Sequence, residues 1–371
     1  YVQPLNKHTR FELGAQYRNT EILNNFEVSR TANGTTSTIP AFTDNTTYLE
    51  NIYAAYFQFT KTFNKLKYQF GLRSETTNIL IATENNTREQ AIHYTNWFPS
   101  AFVHYDFNKR HKIRLSASRR IRRPRLNALI PFSSFSDSRN VLVGNPSVNP
   151  AYVIVSELGY QGKLSNKLSI TPSFFYSYTT NVMDYFIQKE NITINNVPEE
   201  IFVRRTINIG INHALGFELG VTYQVFDWFR MYGEVMVSGF QQTASYQEID
   251  YSNSAMFMVG RLRLNFDISK TLKLQLQPRY VGRNPRGQFI RRAVYRLDVG
   301  ISQQLFRKKA TLSFNFKDVF NTWWFRVNTR GENFNQDIFA QVRRPQANLS
   351  FIYLLNQKKY KGKKGRQYDK F

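Results

Sequence analysis

Through its last third the chain alternates apolar and polar residues one by one. Leu262, Leu264, Phe266 and Ile268 alternate with Arg261, Arg263, Asn265 and Asp267. Leu272, Leu274 and Leu276 oppose Lys273, Gln275 and Gln277, and Leu297, Val299 and Ile301 oppose Arg296, Asp298 and Ser302. The same holds for Leu312, Phe314 and Phe316 against Ser313, Asn315 and Lys317, and for Leu349, Phe351 and Tyr353 against Asn348, Ser350 and Ile352. A period of two predicts strands with one apolar face and one face that cannot be buried dry. A two-layer sandwich in water has the same alternation. Strand length separates the two, because soluble strands usually hold about five or six residues and these runs are far longer.

A short polar turn recurs between the runs: Leu5-Asn6-Lys7, Phe63-Asn64-Lys65, Phe107-Asn108-Lys109, Ser165-Asn166-Lys167, Phe226-Asp227-Trp228, Ser269-Lys270 and Phe306-Arg307-Lys308. Such turns close tight hairpins. The alternate connections, such as Arg30 to Thr46, Arg123 to Pro150 and Lys189 to Glu200, are longer and rich in Asn, Thr, Ser and Gly. Cutting at these marks predicts fourteen strands, at 8–30, 46–62, 65–84, 92–107, 110–122, 151–163, 167–190, 200–226, 228–247, 253–269, 271–285, 291–306, 309–328 and 336–355. Short turns at one end and long loops at the other are the asymmetry of outer-membrane barrels, in which about nine to eleven residues cross the bilayer. The excess length is expected to project on the long-loop side.

The predicted fold is therefore all-β: a transmembrane, antiparallel, up-and-down β-barrel with about fourteen visible strands. Composition agrees. The chain has 371 residues, 16% of them aromatic, including 32 Phe and 22 Tyr. Barrels use such residues in a lipid-facing band and in interfacial girdles, and Phe63, Phe107, Phe226 and Phe306 all precede short turns. No run approaches the length of a transmembrane helix, which leaves a closed sheet as the spanning solution. A formal charge of +24 first suggests nucleic acid. The basic residues, however, are spread along strands and turns and not gathered on one element, so no nucleic-acid partner is expected. Outer-membrane lipid and lipopolysaccharide are.

Four stretches, lying within Ser118 to Tyr160, Asn208 to Leu219, Lys317 to Asn321 and Tyr1 to Leu5, resemble the C-terminal barrel of TonB-dependent outer-membrane receptors of the form common in Bacteroidetes. The first is Ser118-Arg119-Arg120-Ile121-Arg122-Arg123-Pro124, then Leu126-Asn127, Pro131-Phe132, Gly144-Asn145-Pro146-Ser147-Val148-Asn149-Pro150 and Glu157-Leu158-Gly159-Tyr160. It is the most specific, because its parts occur in order at plausible spacing. The second comprises Asn208, Gly210, Gly216, Glu218 and Leu219, the third is the strand-like Lys317-Asp318-Val319-Phe320-Asn321, and the fourth is Tyr1-Val2-Gln3-Pro4-Leu5, similar to an internal barrel hairpin. Physically, the Gly-Asn-Pro and Asn-Pro turns forbid ladder bonding. The segment holding Arg123, Pro124, Gly144, Asn145, Pro146 and Pro150 must therefore leave the sheet at the barrel mouth.

The resemblance implies import of a scarce solute, such as a siderophore, oligosaccharide or peptide, with a plug domain and a TonB-type energy-coupling protein as partners. Neither a plug nor a coupling box occurs in these residues. If the family's count of about 22 strands holds, residues 1–355 form the C-terminal part of a larger barrel, with eight strands and a plug before them. Alternatively fourteen strands close alone, as a plug-less structural subunit that binds a lipoprotein or other outer-membrane subunits. Residues 356–371 are a basic periplasmic tail, either solvated or docked on an acidic surface.

Candidate chemistry is sparse. Cysteine is absent, which excludes disulfides, thiolate catalysis and cysteine-ligated metal. The histidines His8, His93, His104, His111 and His213 show no metal-ligand spacing, and neither a phosphate loop nor a nucleophile elbow occurs. No cofactor is expected, and an outer-membrane lipase or protease has the least support. Alternation does place Arg261, Arg263, Lys273, Arg279 and Arg296 together on the face opposite the lipid, partly offset by Asp267 and Asp298. This basic stripe in the lumen is the candidate ligand-binding feature, suited to an anionic solute, an acidic plug or an acidic partner loop.

Overall fold

The computed structural model describes residues 1–40, 43–84, 88–130, 132–137, 139–194, 197–341 and 343–355. Pro131 and the basic tail lie outside the described residues. Fifteen strands form one sheet, each paired antiparallel with its neighbours in the chain. They are β1 (Val2–Asn6), β2 (Thr9–Phe26), β3 (Asp44–Phe63), β4 (Leu66–Thr83), β5 (Arg88–Asp106), β6 (His111–Arg122), β7 (Ala151–Lys163) and β8 (Leu168–Thr180). There follow β9 (Ile211–Phe226), β10 (Phe229–Thr243), β11 (Asn253–Asp267), β12 (Leu272–Val281), β13 (Val294–Leu305), β14 (Ala310–Lys317) and β15 (Gln346–Tyr353). The added strand is β1, the hairpin partner of β2. The two edges of this sheet among the described residues are β1 and β15.

Register decides which side chains share a face. One row runs Arg230, Asn265, Gln275, Gly300, Asn315, Asn348 across β10 to β15, and the next runs Met231, Leu264, Leu276, Val299, Phe316, Ala347. The polar face continues through Arg114, Gly159, Ser173 and Glu218. The apolar face continues through Leu115, Leu158, Phe174 and Phe217, with the last two rings 4.8 Å apart. Leu13, Phe57, Leu72, Leu215, Met256 and Leu349 on that face are exposed. In water so much bare apolar surface would be unfavourable; against hydrocarbon it is not. Phe63, Phe107, Phe226 and Phe306 are likewise exposed at the short-turn end. There Phe226 stacks on Trp228 at 5.4 Å, and Phe229 on Phe266 at 4.7 Å. The turns show their chemistry: Asn64 sits at φ 51°, the left-handed region that Asn tolerates.

The long-loop end departs from the sequence reading. The runs at 167–190 and 200–226 are not single strands. Each breaks near Asn181 or Gly210, and the outer parts, Met183–Ile194 and Val197–Asn208, form a hairpin that leaves the wall. Gly210 marks the break because its φ is +67° and a Cβ there would lie 1.8 Å from the Thr243 carbonyl oxygen. This hairpin joins Asn140–Val143 and Phe132–Asp137 in a four-stranded outer sheet. Lys189 to Glu200 is therefore mostly paired strand, and Arg30 to Thr46 contains a small hairpin, Ser29–Ala32 with Thr35–Thr38.

A second outer sheet gathers Asn284–Arg286, Phe289–Arg291, Phe325–Arg330 and Asn335–Ala340. These are the far ends of the runs at 271–285, 291–306, 309–328 and 336–355, each of which is interrupted. The two outer sheets lock together. The buried Gln288 side chain accepts from the Ile187 amide at 2.7 Å and donates to the Ile187 carbonyl at 3.0 Å. Arg286 pairs with Asp184 at 2.9 Å, and the Phe202 and Phe334 rings meet at 5.1 Å.

Candidate ligand-facing wall and mouth

The segment between β6 and β7 does leave the sheet, as its prolines require, and then turns back onto the polar face. Leu129, from the short helix Leu126–Leu129, packs with Val148 against Tyr48, Ile79 and Ile81 in one buried cluster. Tyr48 lies opposite Ile81 and Glu50 opposite Ile79, and Tyr48, Ile79 and Ile81 all have the parity of the polar face. At this end the inner wall is apolar, and the mouth segment is what covers it.

The residues of the sequence motif supply the anchors. Arg123 forms an ion pair with Glu75 on β4 and reaches the fully buried Thr77 hydroxyl at 3.3 Å. Arg73 holds the same carboxylate at 2.5 Å. The ladder ends at Arg122, immediately before Arg123 and Pro124. Gly144 is needed for close approach, since a Cβ there would stand 1.9 Å from the Ile130 carbonyl oxygen. The Asn145 amide donates to the Ala128 carbonyl at 2.7 Å, and its side chain donates to Thr206 O at 3.1 Å. Pro146 accepts from Gln90 on β5 at 3.2 Å, and Pro150 accepts from Asn181 at 3.5 Å. The mouth segment thus ties the inner wall to the first outer sheet, through a ring of bonds that the prolines leave free to form.

The second sequence-derived feature is the basic stripe. All five residues do lie on the polar face. Arg261, Arg279 and Arg296 are directly opposite one another on β11, β12 and β13, and Lys273 lies opposite Asp267. Three of the five have carboxylate partners: Arg261 with Glu234 at 3.5 Å, Lys273 with Asp267 at 3.2 Å, and Arg296 with Asp298 at 2.9 Å. Arg263 shares the face without joining the arginine row; its neighbour on β10 is Tyr232.

Two residues that shape this region were missed in sequence. Glu234 was legible, because β10 alternates Arg230, Tyr232 and Glu234 with Met231, Gly233 and Val235. Trp323 was not. It follows Lys317-Asp318-Val319-Phe320-Asn321, read as strand, whereas the strand ends at Lys317 and Asp318 and Asn321 take φ 56° and 52°. The buried Asp318 carboxylate accepts from the Thr322 amide at 3.0 Å and the Trp323 amide at 3.1 Å, closing a turn. That turn sets the Trp323 ring 5.0 Å from the guanidinium carbons of both Arg279 and Arg296. Among the described residues no cluster of His, Asp or Glu could hold a metal, and no helix is long and apolar enough to cross a membrane.

An apolar belt on one face, a polar wall on the other and a folded cap at one end agree with the sequence profile that matches residues 1–353, that of the outer membrane protein beta-barrel family. The chain belongs to that family. Its place is the outer membrane, and its apolar face meets lipid. No curated protein matches it in sequence. Among solved structures it is similar to the siderophore receptor PiuA from Acinetobacter baumannii, with 12% identity and a TM-score of 0.65 over 93% of this chain and 53% of that one. It is also similar to the copper transporter OprC, with 14% identity and a TM-score of 0.62 over 93% and 55%. The FrpB iron transporter from Neisseria meningitidis (F3-3 variant) follows at 14% and 0.58, over 94% and 53%. At such identities the likeness is one of fold. The chain spans about half the length of these structures.

Proposed function

We propose that this chain is part of the wall of a receptor that imports a scarce solute across the outer membrane, driven by a TonB-type energy-coupling protein acting on a plug domain. The observation that carries this reading is the mouth segment, whose residues 123–130 and 144–150 fold back onto the inner face and are bonded to β4, β5 and the outer sheet. A wall with a merely structural role has no need of a covered apolar patch at one end of a polar interior. The interlocked outer sheets supply a surface for capture, and the polar face supplies a wetted path. Siderophore, oligosaccharide or peptide are the solute classes the resemblance offers. The surplus of cations in the stripe favours one that carries negative charge.

The test is growth of a strain lacking the gene under iron, glycan or peptide limitation, with and without the wild-type gene restored. Defective growth on one source, restored by the gene and abolished again by removing the energy-coupling protein, is the expected result. Unimpaired growth on every source, with loss of a co-purifying outer-membrane partner instead, would establish the structural-subunit alternative.

A further inference from the structure

Arg261, Arg279 and Arg296 form a row of three cations in direct cross-strand register. Adjacent strands are about 4.8 Å apart, and like charges placed directly opposite are destabilising. The ends of the row are relieved by Glu234 and Asp298. The middle is not: among the described residues Arg279 has no carboxylate within ion-pair distance, and its Nε is without a hydrogen-bond partner, as is that of Arg296. Both guanidinium groups share one platform, the Trp323 ring, 5.0 Å from each. The platform is itself fixed, since Asp318 closes its turn, the Thr322 hydroxyl donates to Tyr295 O at 2.7 Å and the Val319 amide to Leu297 O at 2.9 Å. With the Trp323 ring against both guanidinium groups, Arg279 keeps its donors, and Arg296 those that Asp298 does not engage, for another group.

We propose that Arg279 and Arg296, backed by Arg261 and seated on Trp323, form a binding site for a single oxyanion, a carboxylate or phosphate group presented at the inner wall. The planar forks of two arginines match such a group bidentately, where lysines would offer only point charges. This deepens the transport reading and rests on it only for the polar face being an interior wall. The oxyanion belongs either to the solute or to an acidic residue of a protein element inside the barrel. The site takes both by the same chemistry.

Trp323 is its own reporter. In the full protein in detergent, with every other tryptophan, Trp97, Trp228 and Trp324 among them, replaced by Phe, inorganic phosphate and citrate are titrated at constant ionic strength while Trp323 emission is followed. A saturable change is expected with at least one of the two, and which one it is separates phosphate from carboxylate recognition. Arg279→Gln should weaken it at least tenfold, Arg279→Lys should restore only part, and Arg230→Gln, which removes an equal charge from the same face two strand pairs away, should change it less than twofold. Equal losses in Arg279→Gln and Arg230→Gln, or no saturation with either anion, would overturn the site in favour of diffuse charge. Resistance of the folded species to unfolding in cold dodecyl sulfate checks each variant, and Arg279→Lys stands in if Arg279→Gln does not fold. Uptake without saturable anion binding refutes the site alone; binding without uptake refutes the transport reading alone.

Discussion

Removing the Leu129 side chain should loosen the mouth segment from the inner wall without unfolding the barrel. Leu129 is 1% exposed and packs on Tyr48, Ile79, Ile81 and Val148. Truncating a buried Leu to Ala costs about 2–5 kcal/mol, transfer and cavity terms together. That cost falls on the docking of residues 123–130 and 144–150, because β4 and β5 are paired along their whole length by their own ladder. With roughly 1.4 kcal/mol per factor of ten, the open population should rise by about 30-fold or more. The chain has no Cys, so a single thiol at Ile81→Cys, a site only 2% exposed, reports opening through its rate of reaction with a soluble thiol reagent. Arg123→Gln, which takes one of two cations from Glu75, should act in the same direction and more weakly. The reasoning fails if Leu129→Ala leaves the Ile81→Cys rate within threefold of its parent, or if that thiol already reacts as fast as one at the exposed Ser147.

Leu264→Arg on the lipid face should cost about 2–4 kcal/mol near the midplane and lower the yield of folded protein in bilayers, while Asn265→Arg on the inner face should not; equal yields would contradict the facing. A thiol at Ser37 should react with an impermeant reagent on whole cells and one at Asn166 should not, and the reverse pattern would invert the orientation. Burial raises the Glu190 pKa, but hydrogen bonds from Arg205 and Gln188 and the charge of Arg205 outweigh it, holding the carboxyl below its usual range. Its folded pKa being depressed, the pair's contribution is present above the unfolded glutamate range and is lost as pH falls through the lowered value. Amide exchange at 188–194 and 197–205 should therefore accelerate on acidification in the parent and not in Arg205→Ala, and identical acid profiles would refute the pairing. Gln288→Ala should raise exchange at Ile187 and across the first outer sheet, leaving β11 and β12 protected; unchanged exchange at Ile187 would mean that the Gln288 clamp is dispensable.

The wall was legible because each spanning strand states its own facing. Arg261 and Leu262, or Gln275 and Leu276, need no partner for the period of two to be read, and register then follows from the short turns. The cap was not legible, for a physical reason. Phe325–Arg330 alternates much as a spanning strand does, Met183–Ile194 contains neither Gly nor Pro, and only Gly210 and the left-handed Asn181 and Asp318 show where pairing moves to another sheet. The motif around Arg123 announced a loop, since its prolines cannot join a ladder. Its destination depended on Glu75, about fifty residues away, and on an apolar patch of the inner wall that looks like ordinary strand in sequence. The same limit hid Trp323: cation–π placement over Arg279 and Arg296 depends on a turn closed by one carboxylate, not on any periodicity.

Because every wall strand pairs only with the strands before and after it in the chain, the unit of change in this architecture is the hairpin. Deleting or duplicating two strands with their short turn returns the chain to the same end of the sheet and keeps side-chain parity, so every later residue still faces lipid or interior as before. A single-strand change would swap the ends, and a one-residue slip would turn Leu264 inward and Asn265 out. Bore can therefore vary in steps of two strands while facing is conserved, and a lineage could widen or narrow such a pore without redesigning any strand it keeps.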